Sequence, residues 1–470
     1  MLNNLLAASA VLKNIGYVAI AVLILLIMIT VHEAGHYFVG KLFKFKINEF
    51  AIGMGPALFK RKLKSGEIFS VRALPLGGFC AFDGEDDDKE DENSFNRKKP
   101  WQRILVLLAG ATMNYLLALV VIAITFGVYG QQVIGVSHVN DGVKSEQSLT
   151  DGDYIEWVKV NGKKTSVYIT TDLTQALKDV KAGQTVEIGV LRKDGKDDKY
   201  ARATSEVRKV VLREDLKLAN MTEVNKVYDA LGFGSALTMK VENGTTSRFK
   251  NGDILLKIGD SDDLDSATFI DDETDFFNAL KDKIANKSVY FFVSGENSST
   301  AIPVALGEEW QSADKSSAEA IAAYFGVTFG EKEYYVTAAY AKFGFFKTLG
   351  RSFVYSFKVA GTLFTSLGQL LTGKIGIRAV GGTITTIKTA SQLISYGWFF
   401  ALQITAFIGV NLAVFNLLPI PALDGARIVF CLIEWIFKKP VNRKVEGAIH
   451  AVGLILLLGF AILVDVLQFI

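Results

Sequence analysis

Four long stretches of this 470-residue chain carry no charged side chain, and they limit its fold more than any other feature. They are residues 14–31, 104–140, 389–423 and 447–464. Together they hold 108 residues and none of the 100 Asp, Glu, Lys and Arg side chains, all of which lie in the other 362. An 18-residue helix is about 27 Å long, close to the roughly 30 Å of hydrocarbon in a bilayer. The remainder is about as charged as an ordinary soluble protein. The pattern therefore predicts a polytopic membrane protein with a substantial water-soluble part. A net charge of +2 with no basic face excludes a nucleic-acid partner. Two cysteines exclude a disulfide framework and a Cys-rich metal site. The first apolar run lacks a small-x-small cleavage site and reads as a retained span.

The spans are expected at roughly 15–40, 103–129, 395–418 and 447–468. Basic residues set their orientation. Lys41, Lys44, Lys46, Lys60, Arg61, Lys62, Lys64, Arg97, Lys98, Lys99 and Arg103 crowd the loop after span one. Arg427, Lys438, Lys439, Arg443 and Lys444 crowd the connection between spans three and four, and the N-terminus has only Lys13. Both loops should face the cytoplasm, leaving both termini and the long insert outside. Asp86–Glu92 reads as a solvated acidic loop. Residues 345–372 are apolar but interspersed with Lys347, Arg351 and Lys358, which suits an amphipathic helix on the membrane surface.

The insert repeats itself weakly. Gly152-Asp153-Tyr154-Ile155 returns as Gly252-Asp253-Ile254-Leu255, each followed by a β-rich piece, a helix-like stretch and a closing strand. The order resembles the PDZ domain, and Ala230-Leu231-Gly232-Phe233 is similar to the PDZ loop that grips a peptide carboxylate. Unrelated small β domains with Gly-Asp turns are the alternative. The expected division is an N-terminal membrane core (1–130) and two PDZ-like α+β domains (131–213 and 228–308). A linker with the amphipathic helix (309–394) and a C-terminal membrane core (395–470) follow.

Of four histidines, two lie in His32-Glu33-Ala34-Gly35-His36, an HExxH motif ending span one. Positions i and i+4 share a helix face, so both imidazoles can bind one metal, and Glu33 can serve as base to its water. An intramembrane Glu is costly without a function. A third ligand is missing from Phe38–Phe43, and Glu49 is the only nearby carboxylate. Asp424 closes the third charge-free stretch, after a helix broken by Pro419 and Pro421. On its own it reads equally as a cap of the next helix or as a ligand.

Together, HEAGH in the first span and Asn416-Leu417-Leu418-Pro419-Ile420-Pro421-Ala422-Leu423-Asp424-Gly425 in a later one resemble the site-2 protease family of intramembrane zinc metalloproteases. The paired PDZ-like units resemble its bacterial branch. The resemblance implies Zn²⁺ on His32, His36 and Asp424, Glu33 as catalytic base, and Asn416 and Pro419 positioning substrate. Phe50–Pro56 and Leu74–Phe79 resemble the family's membrane-associated β-hairpin. There Gly53 and Gly55 would hold an unwound substrate by strand addition, or simply form a tight turn. Ala109–Asn114 resembles a second-span AGPxxN pattern without its proline, and Val380–Thr383 also lacks a proline common in the family.

The implied protein sits in the bacterial cytoplasmic (inner) membrane, in contact with the lipid bilayer. It cleaves spans of single-span membrane proteins, such as anti-sigma factors or signal-peptide remnants. Its external domains would act as a size filter. A non-catalytic membrane scaffold recruiting envelope proteins is the alternative, and it would be marked by loss of Glu33 or a ligand. A zinc transporter or sensor would need more intramembrane polar residues than Asp465 and His450.

Overall fold

The computed structural model describes residues 2–85, 91–136, 149–150, 153–181, 183–192, 206–211, 227, 230–232, 236–244, 249, 253–262, 267–270, 273–295, 298–329, 333–335 and 339–468. Asp86–Glu90, His138, Gly152, Phe233 and Gly252, singled out in the sequence, fall outside them. The chain forms two compact units, residues 1–129 with 345–470, and residues 130–344.

The first unit contains helices α1 (Leu2–Leu42), α2 (Pro100–Val128), α3 (Phe345–Leu371), α4 (Thr383–Ser395), α5 (Trp398–Asn416), α6 (Asp424–Phe437) and α7 (Arg443–Leu467), with strands β1 (Ile47–Lys62) and β2 (Ile68–Phe82) after α1. Four helical segments are long and apolar enough to cross a bilayer: Leu12–Leu42, Pro100–Val128, Trp398–Asn416 and Arg443–Leu467. They coincide with the expected spans. Proline opens α2, where its missing N–H costs nothing. The two prolines after Asn416 stop α5.

Small residues let α1, α2 and α5 pack closely. A Cβ on Gly409 would lie 2.9 Å from Ala118 Cβ and 3.4 Å from Met28 Sδ. Ala118, Val121, Ile122 and Phe126 of α2 form one core with Ala406 and Val410 of α5 and with Tyr355, Val359, Ala360 and Leu363 of α3. The helix expected over 345–372 is thus present as α3, packed on two of the spans. Its inward face buries Thr348, Arg351, Ser352 and Ser356, while Phe346, Phe353, Phe357 and Phe364 face outward. This inverts the soluble amphipathic pattern and suits an apolar surrounding medium. The Ser356 hydroxyl donates to Phe353 O at 2.7 Å, so the Tyr115 hydroxyl donates to Ser356 at 2.6 Å. On α7, Asp465 accepts from the N–H groups of Ile384 and Thr385 and from the Thr385 hydroxyl. This is a cap for the first turn of α4, in keeping with a packing role.

Buried charges tie the helix ends together. Glu434 of α6 is paired with Arg103 of α2 and with Arg443 of α7 at 2.6 Å, and it accepts from the Val441 N–H. Glu67, in the turn between β1 and β2, accepts from Tyr37 and Ser65 and pairs with Lys41, each at 2.8 Å. Burial pushes this carboxyl up, but the bonds from Lys41, Ser65, its own backbone and Tyr37 outweigh burial and hold it at about 2.

In the second unit, one antiparallel sheet runs in the order 339–341, 131–135, 153–160, 185–192, 206–211. The other runs 298–305, 288–295, 254–259, 236–244, 327–329. Helices Thr170–Leu177 and Glu273–Leu280 bury Leu173, Leu177, Phe276 and Leu280 beneath them. The internal boundaries differ from those expected. Val227, Ala230 and Leu231 are buried in the first sheet's core, so a division at 228 splits a segment from its own hydrophobic partners. Residues Ala230 and Leu231 therefore do not serve the second sheet. Trp310, Ile321, Ala322, Phe325 and Val327 belong to the second core, so 309–329 is part of that body and not linker.

Removing one partner of a buried ion pair strands the other in a low-dielectric site. Arg103→Ala should cost about 3 kcal/mol of unfolding free energy in detergent, whereas Lys46→Ala, whose side chain is 51% exposed beside Asp83 and Asp91, should leave stability nearly unchanged. Glu67 is held below the ordinary 4.5, so its contribution is complete above that pH and lost as pH falls toward 2. Denaturant titrations between pH 6 and 2.5 should show the wild-type advantage over Glu67→Gln shrinking across that window.

Candidate metal centre

The HExxH register turns His32 and His36 to one side of α1. His36 Nε2 lies 3.1 Å from His32 Nε2. Asp424 Oδ2, from the first residue of α6, lies 3.1 Å from His32 Nε2 and 3.4 Å from His36 Nε2. These three residues form a cluster whose ligand atoms all lie within 4.8 Å of one another. A tetrahedral ion with bonds of about 2.0–2.1 Å holds its ligands about 3.3 Å apart, which matches this triangle. His36 Nδ1 donates to Val106 O at 2.8 Å, which leaves Nε2 with a bare lone pair facing the cluster. Asp424 Oδ2 is buried and accepts no hydrogen bond of ordinary geometry. Two ring nitrogens and a buried carboxylate oxygen converging in this way form the donor set of a divalent cation. The residues present therefore fit a metal ion.

Glycines make the convergence possible. A Cβ on Gly35 would lie 2.4 Å from Ala109 O, and one on Gly110 would lie 2.4 Å from His36 Nε2 and 2.7 Å from His32 Cε1. Helix α2 thus presses its backbone against the metal face of α1. After α5, the chain folds back so tightly that a Cβ on Gly425 would meet Leu418 O at 2.2 Å and Leu417 O at 2.4 Å. The sequence reading noted the Ala109–Asn114 segment but gave Gly110 no role. A glycine in a span is the only local signal, and it does not name its neighbour.

Asn416 meets His32, with Nδ2 3.4 Å from His32 Nδ1. Pro419 is exposed in the 417–423 loop. Glu33, beside the first ligand, lies close to the backbone of Cys80. Gly78 approaches the same side chain, a Cβ there falling 3.7 Å from Glu33 Cγ. The hairpin thus reaches the site through β2. Gly53 and Gly55 are not brought to the cluster. β1 bends so that Glu49–Ile52 pairs on one side with Gly78–Ala81 and on the other with Ile68–Val71. The strand expected to offer a free edge is therefore an inner one. Gly53 (φ 84°) and Gly55 (φ 82°) follow it in left-handed turn conformations, with Gly55 O accepting from Arg72. The edge beside Glu33 is the Gly78–Phe82 segment, which has no second strand partner among the described residues. Glu49 is bound by Ser70 and Arg72 and is no ligand.

An HExxH helix joined by an aspartate from a broken span, within a bundle of membrane-length helices, defines a metallopeptidase embedded in the membrane. The profile of Peptidase family M50 matches residues 20–460, and the chain belongs to that family, the site-2 proteases. Relatives of nearly equal length include "Putative zinc metalloprotease CPE1693" of Clostridium perfringens, 29% identical over 96% of this chain and 97% of its own. "Putative zinc metalloprotease FN1322" of Fusobacterium nucleatum is 27% identical over 95% and 96%. "Protease RseP" of Yersinia pestis is 24% identical over 93% and 96%.

Gly110→Val should lower bound metal at least tenfold, measured by elemental analysis of purified protein, because its side chain occupies the space of both imidazoles. Asp424→Asn should lose metal while Asn416→Ala retains it; the opposite order would mean the ligand set is wrong.

Proposed function

We propose that this protein is a zinc endopeptidase that cuts the membrane spans of single-span proteins, with His32, His36 and Asp424 as metal ligands. The convergence of Nε2, Nε2 and an otherwise unbonded Oδ2 within 3.4 Å supports this most directly. The relatives' names add zinc. When bound, zinc supplies Lewis acidity to a water molecule and to a peptide carbonyl. Glu33, beside the β2 segment at Gly78, takes the proton of the attacking water and returns it to the leaving amine. Asn416 places its side-chain amide at His32 Nδ1; with Nε2 turned to the metal, Nδ1 carries the proton, and the amide turned over by 180° offers its oxygen to receive it. Pro419 and Asn416 lie where the opened substrate passes. A helical span must unwind before cleavage, and the Gly78–Phe82 edge can hold the extended chain by main-chain hydrogen bonds.

The basic residues of the two short loops favour a cytoplasmic hairpin and termini outside, in a bacterial inner membrane. The inserted unit, with two antiparallel sheets each carrying a helix, is then an external pair of PDZ-like domains that excludes substrates with bulky external parts. Anti-sigma factors and signal-peptide remnants have the single span this requires. Nothing in the site favours the scaffold reading, since Glu33 and all three ligands are in place.

Purified protein, its Glu33→Gln variant and a chelator-treated sample, each incubated with a model single-span substrate, provide the test. Wild type should cleave, and Glu33→Gln should be slower by at least about a hundredfold while retaining metal. Equal cleavage by the variant, or activity that survives zinc removal, would overturn the assignment.

A further inference from the structure

His450, on α7, takes no part in the chemistry above, yet it holds the loop that delivers Asp424. The main-chain N–H groups of residues 417–423 show how. Leu417 donates to Val414 O, Leu418 to Phe415 O, Ile420 to Leu418 O and Leu423 to Ile420 O, all to carbonyls two or three residues earlier in the chain. Pro419 and Pro421 have no N–H. Ala422 alone donates to a distant part of the chain, to His450 Nδ1 at 2.9 Å. Ala422 also has φ 82°, in the left-handed region that strains a residue with a Cβ and persists only where neighbours hold it.

The surroundings fix the imidazole and the loop against each other. Phe430 of α6 lies with its ring centroid 5.7 Å from that of His450. One turn along α7, a Cβ on Gly453 would fall 2.3 Å from Pro421 Cβ, so helix and loop touch without a gap. The strained residue lies two positions before Asp424, and Asp424 Oδ2 must sit within 3.4 Å of two imidazole nitrogens. A loop free to relax at Ala422 would swing that oxygen away.

We propose that His450 is a positioning residue of the metal centre. As a neutral imidazole accepting the Ala422 N–H, it keeps the 417–423 loop in the shape that places Asp424 against His32 and His36. Helix α7, outside the ligand set, thereby sets the affinity of the site.

The inference rests on Asp424 being a ligand, and the test separates the two. Zinc affinity of the full-length protein in detergent is measured by competition with a chromophoric chelator. The variants are His450→Leu, His450→Asn, Asp424→Asn and, as a control on the outward face of α7, Ile455→Ala, whose native side chain is 70% exposed. His450→Leu should bind zinc about tenfold more weakly, as loss of a group behind a ligand does. His450→Asn, whose Oδ1 falls close to the former Nδ1, should stay within about threefold of wild type, on the same scale. Hydrogen exchange in metal-free protein should be faster at Ala422 in His450→Leu than in His450→Asn. Wild-type affinity in His450→Leu, or equal weakening by Leu and Asn, overturns the proposal. If His450→Leu does not yield folded protein, His450→Gln replaces it, because its acceptor falls at the Nε2 position; equal affinities for Asn and Gln then overturn it. Retention of zinc by Asp424→Asn would overturn the ligand assignment itself.

Discussion

A helix that packs over two imidazoles must approach more closely than most side chains permit, and the contact of α2 with α1 meets that condition through glycine. Gly35 faces the Ala109 carbonyl and Gly110 faces both imidazoles, each at a distance that leaves no room for a methyl group. In a bilayer, burying apolar surface does not drive helices together, because lipid is as apolar as leucine. Close backbone packing and a few polar contacts must therefore supply the association. The same device recurs where α5 meets α1 and α2 at Gly409, where α6 turns back at Gly425, and where α7 meets the loop at Gly453. Each contact brings in one more wall of the site. The metal centre thus depends on residues with no side chain as much as on the ligands.

Polar groups are handled differently by depth. Along the spans, hydroxyls return to their own helix, as Thr125 does to Val121 O, which satisfies them without a partner helix. Charges gather at helix ends, where Glu434 joins α2, α6 and α7 and Glu67 joins the hairpin turn to the end of α1. Asp424 differs from these, a buried carboxylate oxygen 3.1 and 3.4 Å from two ring nitrogens of another helix.

The sequence made local chemistry legible and left tertiary chemistry hidden. His32 and His36 are read from spacing alone because four residues on a helix fix their common face. Asp424 could be found only as the polar end of an apolar run, and its nearness to the histidines depends on α6 meeting α1 in space. Gly110 and His450 gave no usable signal, since what each does depends on a helix distant in the chain. Of the two readings of Gly53 and Gly55, the turn is the one their backbone adopts, and a strand's pattern does not show that it bends to pair on both sides. The boundary at 228 differs for a related reason: a Gly-Asp repeat marks where similar strands occur, but not which sheet Val227, Ala230 and Leu231 pack against. The membrane spans, by contrast, follow from composition over twenty residues, and they were found close to where they form.

The placement of Glu33 links the base to the route by which a substrate could be held. Its side chain lies against Gly78, which belongs to the β2 segment whose outer edge is unpaired among the described residues. In a strand, alternate main-chain groups point to opposite edges. A strand whose inner edge is satisfied by β1 directs its remaining groups away from the sheet. A peptide added along the neighbouring positions would therefore be registered against the group that moves the proton. Under the proposed reading, substrate geometry and base geometry are set by one short segment. Displacing that segment would disturb both together, without touching the metal ligands.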